Sequence, residues 1–444
     1  MLKREISLLQ ASAINMIDMV GIGPFVVMPL VISMMGSNLF LWAWILGAFT
    51  AFVDGMIWSE LGAAYPLAGG SYNFLKQAYS GKWGGLMPFL FVWQTCIQAP
   101  LVVASGAIGF AQYFNYLMPL GEVQQKIVSG VVVVLVTALL YRNIKTIGKI
   151  SVFLWLGVII TLLWIIIGGF THRQVPYSFL PAQASQLFTP AFLTVLGHGA
   201  VKTVYSYLGY YNVCHLGGEI NRPEKNIPRS IFISVAGIAF LYLCMNVSIV
   251  SVIPWQEAQH SKFIVSLFVE KIYGHRAAQV ATALVLWIAF SSLFAVMLGY
   301  SRVPYAAAAD NNFFPLFAKL HPRKEFPYVS LLFMGGFGFI FSLLFKLSDV
   351  ISAILAMRIL VQFIAQAVGV VLLRRRRTSS LPFKMWLYPL PVIVSVVIWT
   401  YIFFSTGIYA LWGCGIAAAG AAVYFLIKDR LTSMKPAPPA QNAE

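Results

Sequence analysis

The sequence predicts an all-α integral membrane protein of 12 transmembrane helices, and three observations lead there. Hydrophobic residues make up 59% of the 444 and charged residues only 10%, against about a quarter charged in ordinary soluble domains. Apolar runs recur at spanning length, since crossing the ~30 Å hydrocarbon layer takes about 20 residues per helix. Finally, the 30 Lys and Arg are unevenly placed: with the N-terminus inside, 22 fall on that side and 6 on the other, while Lys202 and Arg358 lie within spans. That asymmetry is the one that orients membrane helices. The net charge of +16 is therefore read as topology, with the lipid bilayer and no nucleic acid as partner, and the run Arg374 to Arg377 as a topological stop.

Taken in order, the elements begin with Met1 to Val20, which has two basic residues but no compact apolar core followed by a small-residue cleavage site. It is read as retained and leading into the first helix. Gly, Pro and charge then divide the chain into helices starting near residues 10, 39, 84, 124, 147, 189, 228, 276, 328, 348, 387 and 408. The first contains Asp18 followed by a Gly/Pro interruption, and the second Asp54 and Glu60. The third places Gln94, Thr95 and Gln98 on roughly one face. The sixth holds Lys202 and a second interruption, Ser206 to Tyr211; the eighth holds Ser291 and Ser292, and the tenth Arg358, Gln362 and Gln366. Long aqueous segments are expected only at 172–188, 254–275, 304–327 and in a polar, Pro-rich tail, 431–444, expected to be disordered and cytoplasmic.

The four cysteines, Cys96, Cys214, Cys244 and Cys414, fall in apolar runs and imply no disulfide framework. The six histidines show no metal-ligand spacing, so no metal site is expected. A nucleophile elbow, a phosphate loop and paired cysteines are also missing from the sequence, which excludes the usual signatures of catalysis and ATP drive.

The two interruptions carry the functional argument. Asp18-Met19-Val20-Gly21-Ile22-Gly23-Pro24-Phe25 breaks the first span, and Ser206-Tyr207-Leu208-Gly209-Tyr210-Tyr211 breaks the sixth. Breaks at corresponding positions of two inverted five-helix repeats mark midplane binding sites in transporters. Unwinding frees backbone N–H and C=O groups that hydrocarbon cannot satisfy and a polar ligand can. Pro24 suits the first turn of a half-helix, whose positive dipole end, with the amides around Gly21 to Gly23, is directed at an anion.

Four stretches resemble the amino acid–polyamine–organocation (APC) superfamily and, within it, the L-type amino acid permeases. Gly21-Ile22-Gly23-Pro24-Phe25 is similar to the first-helix GSGIF signature. Trp58-Ser59-Glu60-Leu61-Gly62 through Tyr65-Pro66 and Gly69-Gly70-Ser71-Tyr72 resembles the second-helix run. Tyr205 to Tyr211, followed by Glu219-Ile220-Asn221-Arg222-Pro223 and Asn226-Ile227-Pro228-Arg229, resembles the sixth-helix pattern with its spacing kept. Ser301-Arg302 through Ala309-Asp310-Asn311 and Pro315 looks like the segment after helix eight.

The resemblance implies a leucine-transporter-like 5+5 inverted repeat with helices 1 and 6 broken. Its repeats would be 1–170 and 189–373, with two further helices over 387–428. It also implies an amino acid as substrate: the carboxylate held by backbone amides of Gly21, Ile22 and Gly23, the ammonium by carbonyls of Ser206, Tyr207 and Leu208, with Gly209 completing the break. Pocket or gate roles are expected for Gln94, Gln98, Tyr210, Tyr211 and Ser291. A polyamine or other organic cation is the alternative cargo, for which Asp18, Asp54 and Glu60 supply negative charge; a non-transporting membrane sensor is a further alternative.

No cofactor is expected, and the coupling ion is left open between sodium, a proton and none, with Asp18, Lys202, Ser291 and Ser292 as the candidate residues. Lys202 is expected to pair with Asp18 or Asp54, and Glu60 to face basic loop residues. Two departures from the family stand out. Pro24 removes an amide near the carboxylate site, and Val158 occupies the fifth-helix position where sodium-independent relatives often carry Lys.

Overall fold

The computed structural model describes residues 2–36, 38–79, 84–175, 187, 189–376 and 381–433. Its secondary structure is helical, with the only strand-like pairings two isolated bridges, Ile6 with Ile220 and Ala68 with Leu216, among the described residues. The helices are α1 (Leu8–Met19), α2 (Gly23–Met35), α3 (Leu41–Ala64), α4 (Ser71–Ala78), α5 (Leu86–Leu117), α6 (Glu122–Leu140), α7 (Ile144–Thr171), α8 (Pro190–Tyr207), α9 (Asn212–His215) and α10 (Pro223–Val250). They continue as α11 (Trp255–Ala258), α12 (Ile264–Tyr273), α13 (His275–Tyr300), α14 (Arg302–Ala309), α15 (Tyr328–Leu344), α16 (Leu347–Arg358), α17 (Ala365–Arg376), α18 (Leu390–Ser405) and α19 (Ile408–Ser433).

Local chemistry sets several helix starts. Ser7 and Gln10 form a reciprocal capping box at α1. Asn143 accepts from the Thr146 amide at α7, and Thr189 accepts from the Phe192 amide at α8, where Pro190 takes the first helical position.

Each predicted helix start has a helix near it, yet length and composition qualify fewer of them as spans. Eight described helical stretches are long and apolar enough to cross a membrane, or nine if the bent pair α1 and α2 counts as one. Helices α15 and α18 are shorter, 17 and 16 residues, about 25 Å at 1.5 Å per residue. Helix α8 carries His198 and Lys202 within its 18 residues and is not among the eight.

The expected aqueous segment 254–275 also holds structure: α11, and α12, which buries Ile264, Val265 and Phe268. Helix α19 extends to Ser433, three residues into the expected tail; the rest of that tail, Lys82, Arg377 and most of 172–188 lie outside the described residues.

The outer surface is that of a lipid-facing protein. Phe153, Ile160, Phe240 and Leu411 are 61 to 68% exposed, an arrangement that water penalises and hydrocarbon does not. Inside, α3 packs on α10 and α8, and α10 on α1 and α7, while α5 packs on α13, α15 and α6.

Two ion pairs with buried carboxylates stitch the interior. Glu219 accepts from Arg302 Nε at 3.1 Å and Nη2 at 3.0 Å, joining the stretch after α9 to the start of α14. Glu60 accepts from Arg374 Nε at 2.7 Å, Arg374 Nη2 at 2.5 Å and the Met385 amide at 2.7 Å. Glu60 thus faces a member of the basic run, as expected.

Candidate functional site

The first break is a bend of 41° between α1 and α2. Val20 leaves helical geometry at φ −90°, ψ 77°, Gly21 donates to Met19 O at 3.1 Å, and α2 restarts at Gly23 with Pro24 in its first turn. Pro24 has no N–H and the Phe25 amide turns back to Ile22 O at 3.2 Å, so the donors this start offers the gap are the opening amides of Ile22 and Gly23. At the second break, α8 ends at Tyr207, Leu208 is extended, and Gly209 has φ +122°. Only a residue without Cβ suits that conformation cheaply, and space agrees: a Cβ on Gly209 would lie 2.8 Å from both Asp18 Cγ and the Met19 amide nitrogen. Sequence spacing pairs the two breaks; the fold puts them in contact.

Two side chains bind the breaks together and a third holds the first break to α13. Tyr242 of α10 donates its hydroxyl to Met19 O at 2.7 Å, with Ser206 O 3.2 Å away. Asn212 Nδ2 donates to Asp18 Oδ2 at 2.7 Å and to Ala295 O at 2.8 Å. Ser292 Oγ donates to Asp18 O at 3.3 Å.

A cavity of about 50 Å³ lies between the breaks. Of the expected site residues, Asp18, Gly21, Ile22, Gly23, Ser206, Leu208, Gly209, Tyr211 and Ser292 line it. The remaining expected residues point elsewhere or sit beyond it. Tyr207 packs edge-on against Trp44 and Tyr242, although its carbonyl belongs to the break. Tyr210 donates to Asp54 at 2.6 Å. Ser291 donates to Trp287 O at 2.7 Å within its own helix; neighbours on a helix lie about 100° apart, so Ser292 faces the cavity and Ser291 does not. On α5 the cavity is lined by Val102 and Gly106, turns beyond Gln94 and Gln98, whose Nε2 atoms are buried without partners. Gln366 accepts from Ser71 at 2.5 Å, and Val158 is buried.

The expected pairing of Lys202 with Asp18 or Asp54 is not what the fold builds. Lys202 Nζ donates to Ser352 at 3.1 Å and lines a separate cavity of about 430 Å³ with His198 and Ser405. Asp54 instead accepts from Trp58, Tyr210, Ser395 and Trp399 at 2.6 to 3.3 Å. Four neutral donors around a buried carboxylate make it a structural node joining α3, the second break and α18.

Sequence reasoning left Tyr205, Tyr300 and Arg358 without a site role, and all three line the cavity. For Arg358 the signal was present: a lone Arg in the middle of an apolar run is expensive and functional by default. Its neighbours were not legible, because Ile359–Ile364 is a π-helical turn that breaks the α-helical period on which face assignments depend.

The amino acid permease family matches residues 6–426 of the chain. The chain is 24% identical to the serine/threonine exchanger SteT of Bacillus subtilis (strain 168), over 97% of this chain and 98% of that protein. It is 26% identical to the human large neutral amino acids transporter small subunit 2, covering 96% and 80% of the two chains. Against the mouse Asc-type amino acid transporter 1 the identity is 25%, covering 96% and 81%.

Proposed function

Because the chain belongs to the amino acid permease family, we propose that it is a secondary transporter moving amino acids across the cytoplasmic membrane by alternating access. The observation that carries this reading is the cavity shared by two touching helix breaks. Donors at the start of α2 and carbonyls at the end of α8 are complementary to a carboxylate and an ammonium on one small molecule. Similarity to exchangers and transporters of amino acids supports the same cargo over a polyamine.

In this reading the chain spans the membrane 12 times, with helices 1–5 and 6–10 as inverted repeats over 1–170 and 189–373, helices 11 and 12 over 387–428, and both termini cytoplasmic. The amides of Ile22 and Gly23 hold the carboxylate beside Gly21, whose own amide donates to Met19 O, and the carbonyls of Ser206, Tyr207 and Leu208 hold the ammonium. Tyr211, whose hydroxyl is 3.3 Å from that of Tyr300, gates the cavity. For a coupling ion, Asp18 is the titratable group placed for a proton; the Ser292 hydroxyl and the Asp18 carbonyl are the oxygens placed for sodium.

Reconstitution into liposomes tests the reading. Labelled neutral amino acids should accumulate or exchange, putrescine should not compete, and imposed sodium and pH gradients separate the two couplings. Uptake of putrescine without amino acid uptake would sink it.

A further inference from the structure

The following rests on the cavity being an amino acid site. Arg358 lines that cavity and is 2% exposed. Its Nε donates to Gln362 at 2.9 Å, and its guanidinium lies 5.2 Å from the ring centroids of both Tyr211 and Tyr300. Its Nη2 is buried and has no hydrogen-bond partner, a costly condition for a charged donor. No carboxylate closes on it within ion-pair distance among the described residues; Asp18, lining the same cavity, acts on it only at longer range. The π-helical turn begins at the next residue, Ile359, and such turns frequently sit at functional sites.

We propose that Arg358 determines specificity: its guanidinium donates to an uncharged oxygen on a short substrate side chain, so the site favours hydroxyl- or carboxamide-bearing amino acids over apolar ones of the same size. The carboxylate and ammonium are already matched by the two breaks, which leaves this donor for the side chain. Charge sets the class. With Asp18 ionised its charge and that of Arg358 cancel, a neutral zwitterion preserves that balance, and an acidic substrate brings an uncompensated negative charge into a region of low dielectric. Space sets the size. The cavity is about 50 Å³, and its wall at Gly106 is so close that a Cβ there would lie 2.8 Å from Leu293.

Titration calorimetry of the detergent-purified full chain with L-serine, L-alanine and L-aspartate tests this. The wild type should bind serine at least about tenfold tighter than alanine, the scale of one hydrogen bond to a charged group, and aspartate weakest. Arg358→Met should bring serine to the alanine level while alanine changes by less than about threefold. Arg358→Lys, which keeps the charge, should lower the serine-to-alanine ratio and carries the test if the Met variant is not recovered folded. Equal binding of serine and alanine by the wild type, equal weakening of both in the variants, or tightest binding of aspartate would each overturn the proposal. Binding of no amino acid at all would overturn the transport reading and this inference with it.

Discussion

Asn212 Nδ2 stands 2.7 Å from Asp18 Oδ2, so the segment after the second break is fastened to the last turn before the first. The two residues are 194 positions apart, and their hydrogen bond runs beside the cavity that both breaks enclose. The breaks are therefore one site, and changes at either should be felt at both.

Gly209→Ala should abolish uptake. The substitution forces an L side chain to φ +122° and drives Cβ to 2.8 Å from the Asp18–Met19 backbone, a strain of about 1 to 3 kcal/mol before any clash. Proteoliposome uptake measured beside size-exclusion behaviour separates lost transport from lost folding. Transport at the wild-type rate by a monodisperse variant would contradict the contact between the breaks.

Gly21→Ala should also fail, for a different and repairable reason. Its Cβ would meet Ser292 Oγ at 2.6 Å, with Ser292 Cβ at 3.1 Å. Adding Ser292→Ala removes the nearer atom, so the double variant should regain part of the uptake the single one loses. A double variant no better than Gly21→Ala would mean that the clash is not with Ser292.

Arg302→Met should destabilise the protein by about 3 to 5 kcal/mol, because it strands the buried Glu219 carboxylate. Pairing it with Glu219→Gln should recover much of that loss, since the uncompensated charge is then gone. Unfolding midpoints in detergent give the comparison; equal midpoints for the single and double variants would show that the pair is not what holds this region.

Lys202→Met should leave amino acid affinity within about twofold of wild type, because Lys202 lines a cavity other than the one between the breaks. Calorimetry with a bound substrate reads this directly. A tenfold loss would return Lys202 to the binding or coupling machinery.

Much of this arrangement was legible in the sequence, and the reasons differ by residue. Both breaks were readable because Gly, Pro and spacing are backbone signals that need no partner. Glu60 was readable as a carboxylate near the charged edge of its span. Asp54 was readable only as a buried charge: nothing local announces donors as distant as Ser395 and Trp399. The serine pair shows the limit of composition, since Ser291 and Ser292 are chemically equal and only helix phase decides which faces the cavity. The pairing of Lys202 was not legible because matching opposite charges by type ignores position: the fold puts Lys202 and Asp18 in different cavities and rings Asp54 with neutral donors.

The Tyr242 hydroxyl has one proton and two acceptors, Met19 O and Ser206 O. A single peg thus laces the two rims of the slot at a fixed gauge. Cargo can vary in what it trails away from that seam, but the part threaded between the rims has one permitted width, so a carrier built this way sorts its passengers by their shared backbone before it meets their differences.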